Sequence, residues 1–204
     1  MDRSKFFQEL DRYFERTLAD HGPSARGVDW PSAESQQLRF AQLLEIRGGR
    51  ARFSLNDYGC GYGALFDHLA ESGLEVDYRG FDLSERMIAL ARESHPGAEW
   101  VTREADLRPA DLTIASGVFN LKLEVEPEEW RKYVLETLAA LDRLSVLGFA
   151  FNMLTSYSDR PLMRPELYYG DPSFFFDVCK RRYSRNVALL HDYGLYEWTI
   201  LVRK

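Results

Sequence analysis

Asp57, Asp82, Asp106 and the glycines at 59, 61 and 63 are the residues of this sequence whose types and spacing suit ligand chemistry. In Asp57-Tyr58-Gly59-Cys60-Gly61-Tyr62-Gly63-Ala64 the glycines permit positive φ and let a ligand approach the backbone with no Cβ in the way. Gly59 to Ala64 also satisfies the GxGxxA dinucleotide pattern, so the glycines alone do not separate a dinucleotide from another nucleoside-like ligand. The acids separate them better. Asp57 lies two residues before the first glycine, where the dinucleotide pattern has an apolar strand residue. Asp82, in Gly80-Phe81-Asp82-Leu83-Ser84, is spaced to accept hydrogen bonds from ribose hydroxyls. Asp106, in Ala105-Asp106-Leu107, adds a third acid.

Candidates for acceptor chemistry are more scattered. His191 falls where a strand would end on the same rim, so it is the candidate base, although a histidine that only serves a hairpin turn reads as well. Tyr157, Tyr168 and Tyr169 occupy a long loop that would line an acceptor pocket. Arg160, Arg164, Lys180, Arg181, Arg182 and Arg185 outnumber the acids near them and hint at an anionic acceptor; a solvated helix face accounts for the later run equally well. Near the N-terminus, Trp30 and Arg39 are placed to close over a cofactor, the arginine pairing with a carboxylate. His21, His68 and His95 read as surface residues. Cys60 and Cys179 provide neither a disulfide framework nor metal-ligand spacing.

These residues need a scaffold that brings strand ends together. Two amphipathic helices are expected first, Lys5 to Asp20 and Ser32 to Ile46, forming an N-terminal cap over residues 1–50. Residues 51–204 then alternate short apolar runs with helical stretches, the pattern of a mostly parallel sheet covered on both faces. Strands are expected at Arg52 to Asp57, Val76 to Phe81, Glu99 to Thr102, Asp111 to Ser116 and Ser145 to Met153. Only Arg103 to Ala110 link the third and fourth, too few for the usual helical crossover. The end, Val187 to Val202, reads as two strands joined through His191-Asp192-Tyr193-Gly194. An open sheet of this kind gathers the three acids and the glycine turn at one crevice.

Composition bounds the ligand. Of 204 residues 45% are hydrophobic and 28% charged, the balance of an ordinary globular chain. A net charge of -6 disfavours a nucleic-acid partner held over a broad surface. No apolar run is long enough for a bilayer span and the first residues lack a signal-peptide pattern, so a cytoplasmic protein without a membrane partner is expected.

Taken as a set, Asp57 to Gly63, Gly80 to Ser84, Ala105 to Leu107 and Asp111 to Phe119 resemble a class I S-adenosylmethionine-dependent methyltransferase, over about 150 residues. The resemblance implies a Rossmann-like α/β fold with a mostly parallel seven-stranded sheet and a C-terminal antiparallel hairpin. It implies S-adenosylmethionine as cofactor and S-adenosylhomocysteine as product. The Gly59 to Gly63 turn would wrap the methionine portion, Asp82 bind both ribose hydroxyls, and Asp106 with the Leu107 amide read the adenine edge. The Ser116 and Gly117 backbone would lie beside the sulfonium, and Cys60, Leu83 and Phe119 would be further cofactor-binding residues. The chain lacks the Asn/Asp-Pro-Pro-Tyr signature of enzymes that methylate nucleic-acid or protein amide nitrogens, having Ser116-Gly117-Val118-Phe119-Asn120 instead, which points to an oxygen or nitrogen of a small molecule. Other readings are an aminopropyl transferase, a non-catalytic S-adenosylmethionine-binding module, and an NAD-dependent oxidoreductase; Asp57 and the terminal hairpin disfavour the last.

Overall fold

The computed structural model describes residues 2–204. Two helices come first, α1 (Arg3–His21) and α2 (Ala33–Leu44), with a short 3-10 turn, Arg26–Val28, in the loop between them. The Asp2 side chain caps α1, and a reciprocal Ser32/Ser35 capping box starts α2, satisfying amides that the first turn of a helix leaves free. The alternating part follows as β1 (Arg52–Tyr58), α3 (Ala64–Glu71), β2 (Glu75–Phe81), α4 (Glu85–Ser94), β3 (Glu99–Val101), β4 (Ala110–Ala115), α5 (Pro127–Arg143), β5 (Ser145–Leu154), α6 (Pro172–Arg182), β6 (Asn186–Leu190) and β7 (Glu197–Arg203).

The seven strands lie in the order β3-β2-β1-β4-β5-β7-β6, with β7 antiparallel to both its neighbours. Strand order reverses between β1 and β4, so their carboxyl ends open a crevice there. The expected gap in the βα pattern is real. Between β3 and β4 the chain makes only a 3-10 turn, Glu104–Asp106.

Two apolar layers cover the sheet. Trp130, Leu138 and Leu141 of α5 and Phe175 of α6 pack with Phe149, Phe151 and Trp198 on one face. Leu43 of α2, Leu65 of α3 and Ile88 of α4 pack with Leu55, Ile114 and Leu201 on the other. Alternate residues of β5 divide between the layers, as the two-residue period of a strand requires. Each large side chain buried this way contributes roughly 1.5–3 kcal/mol.

The helix α1 packs across the strand-end rim by Phe6, whose ring lies 5.0 Å from that of Trp130. Its middle is clasped: the Tyr13 hydroxyl donates to Asp29 Oδ2 at 2.8 Å, and Arg164 Nη1 from the loop after β5 lies 3.8 Å from the same oxygen. No helix among the described residues is long and apolar enough to cross a membrane.

Candidate functional site

The turn after β1 is stapled to the end of β2 by its own amides. Gly59 N–H and Cys60 N–H both donate to the Phe81 carbonyl, at 2.7 and 2.9 Å. Gly61 N–H donates to Asp82 Oδ2 at 2.9 Å, and Ser84 N–H donates to Asp82 Oδ1 at 2.9 Å. Gly61 sits at φ 56, a left-handed conformation that glycine adopts without strain. A turn whose amides are engaged in this way has few left for a phosphate, and beside it stand carboxylates, which repel one.

Asp57, at the end of β1, is buried and accepts the Tyr78 hydroxyl at 2.6 Å. Burial pushes its carboxyl from the ordinary 3.8 up to about 7; the Tyr78 hydrogen bond opposes the shift and the charge of Asp82 adds to it. Asp82 is raised as well, first by burial and then by Asp11 of α1, against the lowering effect of its two amide donors. The crevice is therefore an acidic, desolvated pocket, the environment that favours a cation or a hydroxyl donor.

These groups line a cavity of about 1210 Å³, open mouth included. One side is the strand-end rim, with Asp57, the 59–62 turn, Asp82, Leu83, Ser116 and Gly117; the other is the N-terminal helices and their linking loop, through residues such as Phe7, Phe14 and Trp30. Ser116 Oγ is buried there with no hydrogen-bond partner among the described residues. An orphaned hydroxyl in a lined cavity is a group awaiting a ligand, since leaving it unpaired is unfavourable by about 1–3 kcal/mol.

A family model described as "Methyltransferase domain" matches residues 56–143. A protein of Mycobacterium tuberculosis (strain ATCC 25618 / H37Rv) named "Putative methyltransferase Rv1506c" is 52% identical over 155 residues, which are 74% of this chain and 93% of that protein. The chain belongs to the methyltransferase family. Solved methyltransferase structures share the fold at low identity. The magnesium protoporphyrin IX methyltransferase ChlM from Synechocystis PCC 6803, with bound SAH, superposes with a TM-score of 0.60 at 18% identity, covering 84% of each chain. A DhpI-SAM-HEP complex gives 0.65 at 14% identity over 98% of each chain. The small RNA methyltransferase HEN1 gives 0.60 at 16% identity, over 85% of this chain and 25% of that one.

In this methyltransferase the cavity unites Asp57, Gly59, Cys60, Gly61, Asp82, Leu83, Ser116, Gly117 and Trp30. Other expected residues stand apart for identifiable reasons. Gly63 instead caps α3, where an added Cβ would come within 2.8 Å of the Trp100 ring and 3.1 Å of His95. Asp106 and Leu107 lie on the short β3–β4 turn outside the cavity lining, where Asp106 is paired with Arg103 at the surface, Nε to Oδ2 at 2.8 Å, and the Leu107 amide donates to the Glu104 carbonyl at 3.0 Å. Phe119 is fully buried behind the rim, its carbonyl accepting Trp130 Nε1. Arg39 is engaged with Glu197 rather than turned to a cofactor carboxylate. His191 does lie at the carboxyl end of β6, which runs parallel to β1 as expected, but two strands beyond β5 and outside the lining; its ring is 5.9 Å from that of Tyr157, which is 70% exposed.

Asp11, Tyr62 and Tyr133 also line the cavity and are not among the site residues expected from the sequence. Asp11 had a legible signal. It falls four residues after Phe7 and three before Phe14, an acid on the apolar face of an amphipathic helix.

Proposed function

We propose that this protein transfers the methyl group of S-adenosylmethionine to an oxygen or nitrogen of a small-molecule acceptor, releasing S-adenosylhomocysteine. The observation that carries the reading is the stapled turn: Gly59, Cys60 and Gly61 amides bonded to Phe81 and Asp82, with buried Asp57 behind them. A dinucleotide would need those amides for its pyrophosphate. A ligand with a positive centre and vicinal hydroxyls needs the carboxylates, and the residues fit it.

The donor supplies a methyl already activated by its sulfonium. The chain's part is to bind, orient and exclude water. Asp82 is held rigid by two amides and offers its remaining lone pairs to hydroxyls. Asp57, once ionised as the pH rises through about 7, provides negative charge in a desolvated setting, where it acts more strongly than in water. Ser116 Oγ gains a partner, and the aromatic side chains of the N-terminal helices keep solvent off the reacting centre.

Among the described residues the lining contains no arginine, lysine or histidine, and it does contain Asp11, Asp57 and Asp82. A neutral or cationic acceptor with an apolar body therefore suits the cavity better than the anionic one suggested by Arg160 to Arg185. Arg164 is paired with Glu166 and Arg181 with Asp177. The acidic net charge argues for a small molecule over nucleic acid. Calorimetry with S-adenosylmethionine and, separately, NAD tests the reading. Micromolar binding of the first alone is expected; binding of NAD alone would overturn it.

A further inference from the structure

Beneath Trp30 lies a buried polar network that joins α2 to the sheet. Glu197, 1% exposed, accepts Arg39 Nε on Oε2 at 2.8 Å and Arg39 Nη2 on Oε1 at 3.0 Å. Asn152 Nδ2 also donates to Glu197 Oε2 at 2.9 Å, and Asn152 Oδ1 accepts Gly117 N–H at 2.7 Å. Arg39 Nη1 donates to the Ser35 carbonyl at 2.7 Å. One face of the guanidinium then lies 4.1 Å from the Trp30 ring centroid. Trp30 in turn crosses Gly117 so closely that a Cβ there would come within 2.4 Å of Trp30 Cζ2.

Stability does not account for such an arrangement. A buried ion pair is about as stable as well-packed apolar residues of the same volume, because desolvation offsets the attraction between the charges. What it does provide is geometry. A planar guanidinium engages a carboxylate through one edge, a carbonyl through another and an indole through its face, all at fixed angles, which an ammonium does not do. The indole it supports and the glycine tethered through Asn152 both line the cavity.

We propose that Arg39, Glu197 and Asn152 are positioning residues: they hold Trp30 over the Gly117 turn, so that this end of the cavity has its binding shape before a ligand arrives. The effect on ligand affinity rests on the reading of the cavity as the donor site. Pre-formed walls bind more tightly because the ordering cost is not met at binding.

A double-mutant cycle on S-adenosylhomocysteine affinity, measured by calorimetry, tests the proposal. Arg39→Lys and Trp30→Ala each weaken binding by about tenfold, and the combined variant is no weaker than the worse single one, since both remove the same wall. Arg39→Lys binding as tightly as the parent overturns the proposal, and so do additive effects. A second measurement needs no ligand: acrylamide quenching assigned to Trp30 by difference from Trp30→Phe. Quenching rises severalfold in Arg39→Lys and in Arg39→Gln/Glu197→Gln, a pair of changes that leaves no charge unbalanced. Unchanged quenching in both overturns the proposal. If the parent does not bind S-adenosylhomocysteine, the donor-site reading fails, and the quenching result alone decides the role of Arg39.

Discussion

Replacing Asp57 by asparagine should stabilise the ligand-free protein, by an amount that grows with pH. The carboxyl titrates at about 7 in the folded chain against an ordinary 3.8, mainly because it is buried. A group whose folded value is raised binds its proton more tightly when folded. Its contribution is fully present below pH 3.8 and is lost as the pH rises through 3.8 to about 7, beyond which the fold carries the whole penalty of an ionised buried group. That interval corresponds to about 4 kcal/mol at 1.36 kcal/mol per pH unit. Asparagine stays neutral and keeps an oxygen to accept the Tyr78 hydroxyl at the place of the present 2.6 Å bond. The variant should therefore match the parent near pH 4 and exceed it by about 4 kcal/mol at pH 8. In a chain of this size the gain corresponds to roughly 8–16 °C in melting temperature. Urea unfolding of both proteins at several pH values is the assay. A stability difference that stays flat from pH 5 to pH 8 would refute the reasoning. The same substitution should weaken S-adenosylmethionine binding and flatten its pH dependence, because only the ionised carboxyl attracts a cation and the parent gains affinity as the pH rises through about 7.

Ser116→Ala should raise the melting temperature of the ligand-free protein slightly, by about 1 kcal/mol of stability, because it deletes a buried hydroxyl that has no partner among the described residues, while weakening donor binding in calorimetry. Gly117→Ala places a Cβ against Trp30 at a position with φ 72, so a loss of about 1–3 kcal/mol in urea unfolding and a weaker donor complex are expected. His191→Ala and Tyr157→Phe lie outside the cavity lining and should leave S-adenosylhomocysteine affinity within about twofold of the parent; a tenfold loss would return both to the site.

Local signals made the scaffold readable. The glycine turn, the helix caps and the two-residue and 3.6-residue periods each follow from short-range chemistry, and even the missing crossover between β3 and β4 could be counted from the spacing. The expected residues that stand outside the cavity lining share a different cause. Asp106 fits its motif by position, yet Arg103 three residues away reaches it. Arg39 meets a partner 158 positions further along, which no local pattern announces. Glu197 and Asn152 did leave a trace, polar side chains at the start of and within apolar strands, and a buried polar residue in such a run calls for a partner. His191 ends a strand parallel to β1, but its distance along the rim depends on strand order, with β7 and β6 beyond β5.

The helix α1 forms part of the cavity wall through Phe7, Leu10, Asp11 and Phe14, so bound ligand and docked helix share a surface. Linkage makes that sharing symmetrical: the factor by which docking tightens a ligand is the factor by which the ligand tightens docking. The amino-terminal segment is thereby an occupancy gauge. Trypsin sites at the exposed Lys5, Arg12 and Arg16 should become protected in proportion to saturation of the cavity, whatever fills it. A cleavage assay on this one helix would rank unknown acceptors by affinity before any product is detected.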